Sequence, residues 1–244
     1  MNFVSKKEFS NIDFKAGSTL LVDKPMNWTS FDVVNKLRGA IRAQIGVKKI
    51  KVGHSGTLDP MATGLLIICT GKNTKKLHKF QDLGKVYTGT ITFGGTTPTY
   101  DKESEVDQEF PFEHINEELL TTAIPEFTGK IAQIPPMFSA IKIKGQPLYK
   151  LARRGEKIEL KPRNIEIYSL KFTRIELPEV DFEVHCSKGT YIRSLAHDLG
   201  AHFDSGAHLS KLVRTEIGEF KLSNSWDLEE LVASVNELER INPS

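Results

Sequence analysis

One aspartate is set apart by its surroundings, the run Gly53-His54-Ser55-Gly56-Thr57-Leu58-Asp59-Pro60-Met61-Ala62-Thr63-Gly64. Glycines let a backbone approach a ligand closely and adopt torsions that other residues avoid. Pro60 restricts Asp59 to an extended conformation. A carboxylate held on such a loop suits a nucleophile or a base. The alternative is an ordinary Asp-Pro turn with a self-bonded side chain, which is the stronger interpretation of the dipeptide alone.

The charges of the chain are segregated, although the formal net charge is only +2. Residues 34–90 contain 11 Lys and Arg against 2 Asp and Glu, and residues 127–174 contain 11 against 3. Residues 101–126 contain 1 basic and 9 acidic residues, and residues 175–244 contain 6 and 13. Two basic blocks that converge in the fold would attract phosphate groups. A solvated surface of alternating sign explains the same charges equally well.

Size and composition indicate a globular chain. The 244 residues, 39% of them apolar, can bury a core as one large domain or two small ones. No signal peptide is visible, and the longest apolar run, residues 65–69, is strand-sized, so we expect no membrane association. Cys69 and Cys186 lie in apolar or alternating runs, which predicts two buried thiols in a reducing cytoplasm rather than a disulfide.

Periodicity and turn residues predict the elements that must position the loop. Strands are predicted at residues 18–23, 65–69, 86–93, 138–143, 165–177, 180–186 and 217–222; helices are predicted from Thr29 or Ser30 to about residue 45 and at 74–83, 115–127, 147–154, 190–203 and 228–238. Residues 1–17 show no clear period and predict a loosely held arm. Because several strands are joined too closely for helical crossovers, the predicted fold class is α+β, with a mixed, largely antiparallel central sheet flanked by helices and loops.

Six segments in a fixed order resemble the TruB-type tRNA pseudouridine synthases, which modify uridine 55 in the T loop of tRNA. The run at residues 53–64 closely resembles the catalytic loop of that family. The other matching segments are Leu21-Val22-Asp23-Lys24-Pro25, Lys85-Val86-Tyr87, Pro135-Pro136-Met137-Phe138-Ser139-Ala140, Cys186-Ser187-Lys188-Gly189-Thr190-Tyr191-Ile192-Arg193, and Gly206-Ala207-His208-Leu209 with Leu212-Val213-Arg214. The likeness extends from residue 18 to about residue 220, and two of its motifs are long enough to make coincidence improbable.

The resemblance implies a pseudouridine synthase fold and an isomerase with Asp59 as its essential carboxylate. The reaction breaks the N1–C1′ bond of uridine, turns the base, and joins C5 to C1′. Atoms are conserved and no electrons are gained or lost, so we expect no redox cofactor, metal or nucleotide. Asp59 could attack C1′, attack C6, or remove the C2′ proton, and the sequence leaves these three routes open.

The resemblance also assigns roles to four residues around Asp59. Arg193 matches the arginine that pairs with the catalytic aspartate and keeps it ionised, with a phosphate-binding or surface arginine as the alternative. Tyr87 matches the tyrosine that stacks on the target base and can help to remove the C5 proton; the alternative is a core tyrosine. Tyr191 and Leu212 match residues that line the apolar side of the pocket, for which ordinary core packing is the competing interpretation.

RNA binding follows from the same resemblance. The target base must be flipped out of its stack, which costs a few kcal/mol. His54 matches the histidine that fills the vacated space, and Lys24 matches a lysine at the pocket edge; a structural histidine and a solvated lysine are the alternatives. Residues 101–111 and 138–154 fall where the family carries a mobile RNA-gripping insert. Basic blocks that grip phosphates would make affinity depend on salt.

Two features depart from the family pattern. Pro98 replaces the first aspartate of a Thr-Asp-Thr sequence, which puts polar contacts of that loop in doubt. Only about 24 residues follow Phe220, too few for the C-terminal RNA-binding PUA domain of many relatives. We therefore expect residues 1–244 to form a single catalytic domain with RNA-binding insertions and no PUA domain. We expect a cytoplasmic monomer that acts on the T arm of tRNA and needs no protein partner.

Rival functions explain less of the chain. The segment Gly71-Lys72-Asn73-Thr74 fails the spacing of a nucleotide-binding P-loop. His185 and Cys186 lack a second ligand pair for zinc. A non-catalytic RNA-binding module would explain the charges but not the Asp59 loop. An RNA glycosylase is chemically closest, because it also attacks C1′, but it would release the free base.

Overall fold

The computed structural model describes residues 3, 4, 6–143, 145–156 and 158–238, and these form two compact units. Unit 1 takes in Met1–Val86 and Val213–Ser244, and unit 2 takes in Tyr87–Leu212. The strands are β1 (Thr19–Lys24), β2 (Val52–His54), β3 (Thr63–Thr70), β4 (Lys85–Phe93), β5 (Gly95–Thr96), β6 (Gln108–Glu109), β7 (Gly129–Gln133), β8 (Lys142–Ile143), β9 (Gln146–Pro147), β10 (Arg163–Glu176), β11 (Glu179–Cys186), β12 (Ala207–Ile217), β13 (Phe220–Lys221) and β14 (Trp226–Asp227). The helices are α1 (Ser30–Gln44), α2 (Leu77–Gln81), α3 (Glu117–Ala123), α4 (Leu148–Ala152), α5 (Ile192–His202) and α6 (Leu228–Glu237), and 3-10 helices span Lys6–Asn11, Gly71–Lys76, Ile124–Phe127 and Leu222–Asn224.

Unit 1 is built on a mixed sheet. β1 pairs with β14 in parallel and with β3 in antiparallel orientation. β3 also pairs with β2 in antiparallel and with β12 in parallel orientation. Successive residues of β3 enter two different cores: Leu66 and Ile68 pack with residues of α1 and α6, whereas Leu65 and Ile67 pack with Phe80 and Phe220. Burial on both faces explains why this strand reads as an unbroken apolar run.

The start of α1 is confirmed at the predicted position. Thr29 caps the helix, and its backbone N–H is bound in return by the side chain of Asp32, a reciprocal capping box. The buried positions Val33, Val34, Leu37 and Ile41 follow helical spacing and join the core of unit 1. The capping pair therefore determines where the helix that faces β1 and β3 begins.

The prediction of a loosely held N-terminal arm is wrong for its described part. Phe9 and Phe14 are 5% and 2% exposed, and the ring of Phe9 lies 4.9 Å from that of Trp226. Two aromatic side chains without a period still bury enough apolar surface to anchor a segment. Met1, Asn2 and Ser5 of this arm lie outside the described residues.

Unit 2 contains the strand order β12-β4-β11-β10-β7. β10 and β11 form the predicted antiparallel hairpin, with Val180, Phe182, Val184 and Cys186 buried along β11. β7 pairs with the other edge of β10 in antiparallel orientation. Two short hairpins, β5 with β6 and β8 with β9, stand outside this sheet. The predicted fold class, α+β with a mixed and largely antiparallel sheet, is confirmed.

Other predicted elements need correction. The predicted strand at residues 217–222 is the end of β12, a turn, and β13. The predicted helices at 74–83 and 115–127 are short helices joined to 3-10 turns, and of residues 138–143 only the last two form a strand, with Lys144 outside the described residues. β7 and most of β12 were not predicted at all. A single domain over residues 1–244 stays a prediction.

Two further expectations concern membranes and cysteines. Among the described residues, no helix is long and apolar enough to cross a membrane. Cys69 and Cys186 are both buried, and neither forms a disulfide, as predicted.

Two helical glycines give a matched test of the packing. A Cβ on Gly39, in α1, would meet open space, whereas a Cβ on Gly200, in α5, would overlap the backbone of Gly206 and Ala207. We expect Gly39→Ala to raise the free energy of unfolding by ~0.5–1 kcal/mol, because alanine has the better helix propensity. Gly200→Ala should lower it by ~1–3 kcal/mol through overpacking. Urea unfolding of both variants measures whether the two changes in the free energy of unfolding have opposite signs. Equal changes would contradict the close packing of α5 at Gly200.

Candidate active site

Asp59 lies in unit 1, on the loop that joins β2 to β3, and neighbouring contacts hold the loop backbone. The Ser30 hydroxyl, at the start of α1, accepts from the Leu58 N–H at 2.9 Å and donates to the Leu58 carbonyl at 3.2 Å. The Asp59 carbonyl accepts from the Ala62 N–H at 3.1 Å, which closes the turn around Pro60. The residue before Asp59 is thereby tied to α1, and the residues after it form a tight turn. The preset loop expected from the sequence is present.

Lys24, at the end of β1, is completely buried, so the solvated-lysine alternative is wrong. Its ammonium group donates to the carbonyls of Pro25, Trp28 and Pro60 at 2.9, 2.6 and 3.3 Å. Three carbonyl partners satisfy all three of its N–H donors. Lys24 therefore links the turn before α1 to Pro60, the residue that follows Asp59.

Burial disfavours the charged form of Lys24. Desolvation lowers the pKa of Lys24 to about 8, while the carboxylates of Asp59 and Asp23 act in the opposite direction. The nearby guanidinium group of Arg214 adds to the decrease. Lys24 and Asp59 thus belong to one electrostatic cluster in unit 1.

Arg214 is a second buried cation of this cluster, only 1% exposed, on β12. Its Nε donates to the Leu65 carbonyl at 2.8 Å, and its Nη2 donates to the Gly56 carbonyl at 3.2 Å. Its backbone pairs with Gly64, which has φ +105° and approaches so closely that a Cβ there would overlap the backbone of Arg214. Arg214 therefore binds both the loop before Asp59 and the strand after it.

His54 ends β2 and begins the loop. Burial lowers the pKa of His54, and the charge of Arg214 acts in the same direction, while the nearby backbone of Gly56 acts in the opposite direction. These effects favour an uncharged imidazole at neutral pH. An uncharged ring suits the base-replacing role that the resemblance implies, because it can enter a stack without carrying a charge.

Arg193 lies in unit 2 and is 4% exposed, so the surface-arginine alternative is wrong. It is the second residue of α5. Its Nη1 donates to the Thr99 carbonyl at 3.0 Å and its Nη2 to the Phe138 carbonyl at 2.9 Å. Its Nε lies 3.6 Å from Oδ2 of Asp101, which is also buried. The guanidinium orientation is thus determined by two backbone carbonyls and one carboxylate.

Asp101 shows what the loop with Pro98 retains. Its Oδ1 accepts from the Thr99 hydroxyl at 2.7 Å and from the Glu103 N–H at 2.9 Å, and its carbonyl accepts from the Thr97 hydroxyl at 2.8 Å. Both threonines that flank Pro98 therefore keep polar contacts. With Pro98 in place of the family's aspartate, the loop therefore still holds Asp101 beside Arg193.

The remaining predicted residues also lie in unit 2. Tyr87 on β4 and Leu212 on β12 are 9% and 8% exposed, so each is almost completely buried. Tyr191, just before α5, is held through its backbone: its N–H donates to the Gln133 side chain at 2.8 Å, and its carbonyl accepts from the same amide at 3.0 Å. Their assignment to the pocket lining stays a prediction.

The predicted site residues divide between the two units. Unit 1 brings together Asp59, Lys24 and His54, and unit 2 contains Arg193, Tyr87, Tyr191 and Leu212. The pairing of Asp59 with Arg193 would join the two units and stays a prediction.

Residue types alone did not single out Arg214, Asp101, Ser30 or Gln133 as supports of the site. Arg214 and Asp101 do stand in recognisable sequences, the last residue of Leu212-Val213-Arg214 and the end of Thr97-Pro98-Thr99-Tyr100-Asp101. Ser30 and Gln133 gave no such signal. Within the described part of the chain, no cluster of three or more His, Cys, Asp or Glu residues could hold a metal ion.

The burial of Lys24 predicts a pH-dependent stability. Its pKa is about 8 in the folded chain against 10.5 unfolded, so between these pH values the unfolded chain binds more protons and stability rises with pH. We expect the free energy of unfolding of the wild type minus that of Lys24→Met to rise across this window by about 3 kcal/mol at most. Urea unfolding from pH 7 to 11 measures the difference. Lys79→Met removes an exposed lysine and is the control; a flat difference for Lys24→Met as well would refute the burial argument.

Comparison with protein families and curated relatives places the chain. The model described as "TruB family pseudouridylate synthase (N terminal domain)" matches residues 42–192, and that described as "tRNA pseudouridylate synthase B C-terminal domain" matches residues 193–241. A tRNA pseudouridine synthase B of Flavobacterium johnsoniae is 54% identical over 88% of this chain and 95% of the relative. One of Phocaeicola vulgatus is 49% identical over 89% of this chain and 93% of the relative.

Solved structures agree on the fold. A chain in the crystal structure of a Cbf5-Nop10-Gar1 complex matches with a TM-score of 0.69 and 28% identity, over 95% of this chain and 58% of that one. A chain of an H/ACA ribonucleoprotein bound to a substrate RNA containing 2'-deoxyuridine matches with a TM-score of 0.65 and 27% identity, over 90% of this chain and 53% of that one. This chain thus spans little more than half the length of these two neighbours. With the family model matching well over half of its residues, the chain belongs to the TruB family of pseudouridylate synthases.

Proposed function

We propose that this chain isomerises uridine 55 in the T loop of tRNA to pseudouridine, with Asp59 as its essential carboxylate. The observation that carries the proposal is the Asp59 loop, which is fastened by Ser30, Lys24 and Arg214 in a chain of the TruB family. The curated relatives that match about nine tenths of the chain are tRNA pseudouridine synthases B, which supports tRNA as the substrate class.

The chemistry needs one carboxylate held still beside the ribose and the base. The N1–C1′ bond breaks, the detached base turns within the closed site, and C5 bonds to C1′ before the C5 proton leaves. Asp59 serves as nucleophile at C1′ or C6, or as the base that removes the C2′ proton. In each case a loop tied to α1, β1 and β12 keeps the carboxylate in position without reorganisation during the reaction.

The surrounding residues orient the carboxylate, bind the flipped base and fill the space that the base leaves in the RNA. Arg193, positioned by Asp101 and two carbonyls, supplies a guanidinium group that favours the ionised carboxylate. Tyr87 stacks on the flipped uracil, and Tyr191 and Leu212 line the apolar side of the pocket. His54 occupies the space that the base leaves, and Lys24 holds the pocket edge. Flipping exposes the target atoms that the stack conceals.

Phosphate contacts come from the basic blocks, which make the affinity for tRNA fall with rising salt. We assign the T arm as the bound region and expect a cytoplasmic monomer that needs no cofactor, metal or obligatory protein partner. The reaction conserves the atoms of the substrate and neither oxidises nor reduces it, so its balance requires no redox cofactor and no co-substrate.

A tritium-release assay tests the proposal. We expect the purified chain, without added metal or nucleotide, to release tritium from a tRNA transcript labelled at C5 of uridine, with the product mapped to position 55. Release of free labelled uracil would instead identify a glycosylase. RNA that binds but stays intact at stoichiometric enzyme would leave only a non-catalytic binding module.

Asp59→Asn makes the assay specific for the carboxylate. The amide has nearly the same shape but neither a negative charge nor basicity, so we expect retained RNA binding and loss of at least a thousandfold in single-turnover rate, about 4 kcal/mol in the barrier. Asp204→Asn is the matched control, because Asp204 is exposed and its φ of +50° is one that asparagine tolerates. Normal turnover by Asp59→Asn would remove Asp59 from the chemistry.

A further inference from the structure

One exposed face of α1 carries an aromatic ring followed by polar and basic side chains. Phe31, Asn35, Arg38 and Arg42 are spaced four, three and four residues apart, so they form one stripe along the helix. The stripe points away from the buried positions of α1, and Phe31 is 59% exposed. A helix rise of 1.5 Å per residue gives the stripe a length of ~16 Å.

Local contacts hold the stripe in place before any ligand binds. Arg38 donates from Nη1 to the Asn35 side chain at 2.9 Å and from Nη2 to the Val52 carbonyl at 3.2 Å. The same guanidinium carbon lies 5.9 Å from the centre of the Phe31 ring. Arg38 is thereby fixed between α1 and β2, and it supports one side of the ring.

The stripe begins next to the reactive carboxylate. Ser30 precedes Phe31, and its hydroxyl is bonded to both backbone groups of Leu58, the residue before Asp59. Phe31 therefore directly follows one partner of this contact in the chain, and Asp59 directly follows the other. All these residues belong to unit 1.

We propose that this stripe binds the RNA strand beside the flipped uridine, with Phe31 stacked on an unpaired nucleobase and Arg38 and Arg42 on the phosphates that follow. The inference rests on the proposed function, since it names a second contact of the same substrate. Stacking on an aromatic ring and ion pairing along a backbone are the two means by which proteins grip unpaired nucleotides.

The chemistry of the stripe favours RNA over a protein partner or a lipid surface. Its apolar part is a single ring, far smaller than the contiguous patch that a protein interface needs. The stripe contains no carboxylate. The nearby Asp32 is not part of it, and its side chain is engaged in the cap of the helix. The stripe's three polar members, Asn35, Arg38 and Arg42, also lie within residues 34–90, the block with 11 basic and 2 acidic residues.

Substitutions at Phe31 separate stacking from structure. We expect Phe31→Ala to raise KM for the T-arm RNA about tenfold with little change in kcat, because one base–aromatic stack is lost. Phe31→Trp should restore the KM of the wild type, and Phe31→Leu, which keeps apolar bulk without a ring, should not. Thermal unfolding should be the same in all four proteins, since the ring is exposed. An unchanged KM for Phe31→Ala would overturn the proposal.

A fluorescence readout does not depend on turnover. The tryptophan of Phe31→Trp should be quenched by added RNA beyond the change seen with the wild type, because a stacked base quenches indole emission. Leu119→Trp is the matched control: Leu119 is 42% exposed on α3, within the acidic block of residues 101–126. Quenching equal to that control would overturn the stacking contact.

The phosphate contacts have their own test. Arg42→Gln should lower the slope of log affinity against log salt by about 0.7, the value for one phosphate contact on a single strand. Lys221→Gln removes an exposed charge on β13, outside both basic blocks, and should leave the slope unchanged. Equal slopes for Arg42→Gln and the wild type would overturn this part of the inference. Binding and quenching are measured without conversion of uridine to pseudouridine. A wild type that binds RNA at the stripe but releases no tritium would therefore contradict the proposed function and leave the stripe proposal standing.

Discussion

The shape of the Asp59 loop depends on the parallel contact between β12 and β3. That contact places the Arg214 backbone against Gly64, where only a residue without a Cβ fits. From there the guanidinium group reaches the carbonyls of Leu65 and Gly56, one on each side of Asp59 in the sequence. A guanidinium group is planar and offers several N–H donors in fixed directions, so one side chain can bind both carbonyls at once. The pairing of β12 with β3 thus places Arg214 where its side chain fixes the backbone on both sides of Asp59.

Two buried cations support a loop with one reactive carboxylate. Burying Lys24 and Arg214 is expensive, and the chain offsets the expense with five backbone carbonyls that accept from them. Apolar side chains of similar volume would fill the same space at lower cost, but they would hold the loop less specifically. The low pKa of Lys24 shows that the compensation is incomplete. Stability is therefore given up where the geometry of the reactive group is set.

The sequence predicts those parts of the fold in which burial and period agree. β3 is buried on both faces and α1 has one buried face and a capping pair, so both are recognisable. β12 is not, because Arg214 and His208 occupy buried positions and break its apolar pattern. The same holds for the site: Asp59 stands out through its glycines and proline, whereas Asp101 gains its role only by folding against Arg193. Long-range polar contacts leave no period in a sequence.

One helix links loop geometry to the surrounding surface. The Ser30 hydroxyl holds Leu58, and the next residue, Phe31, begins the exposed stripe. Successive helical residues differ by about 100° in direction, so one side of α1 supports the carboxylate while another faces solvent. A displacement of α1 would move both together, because a helix with a packed core face shifts as a rigid body. Any ligand that binds the stripe is therefore positioned relative to Asp59 by the same hydrogen bonds that hold the loop.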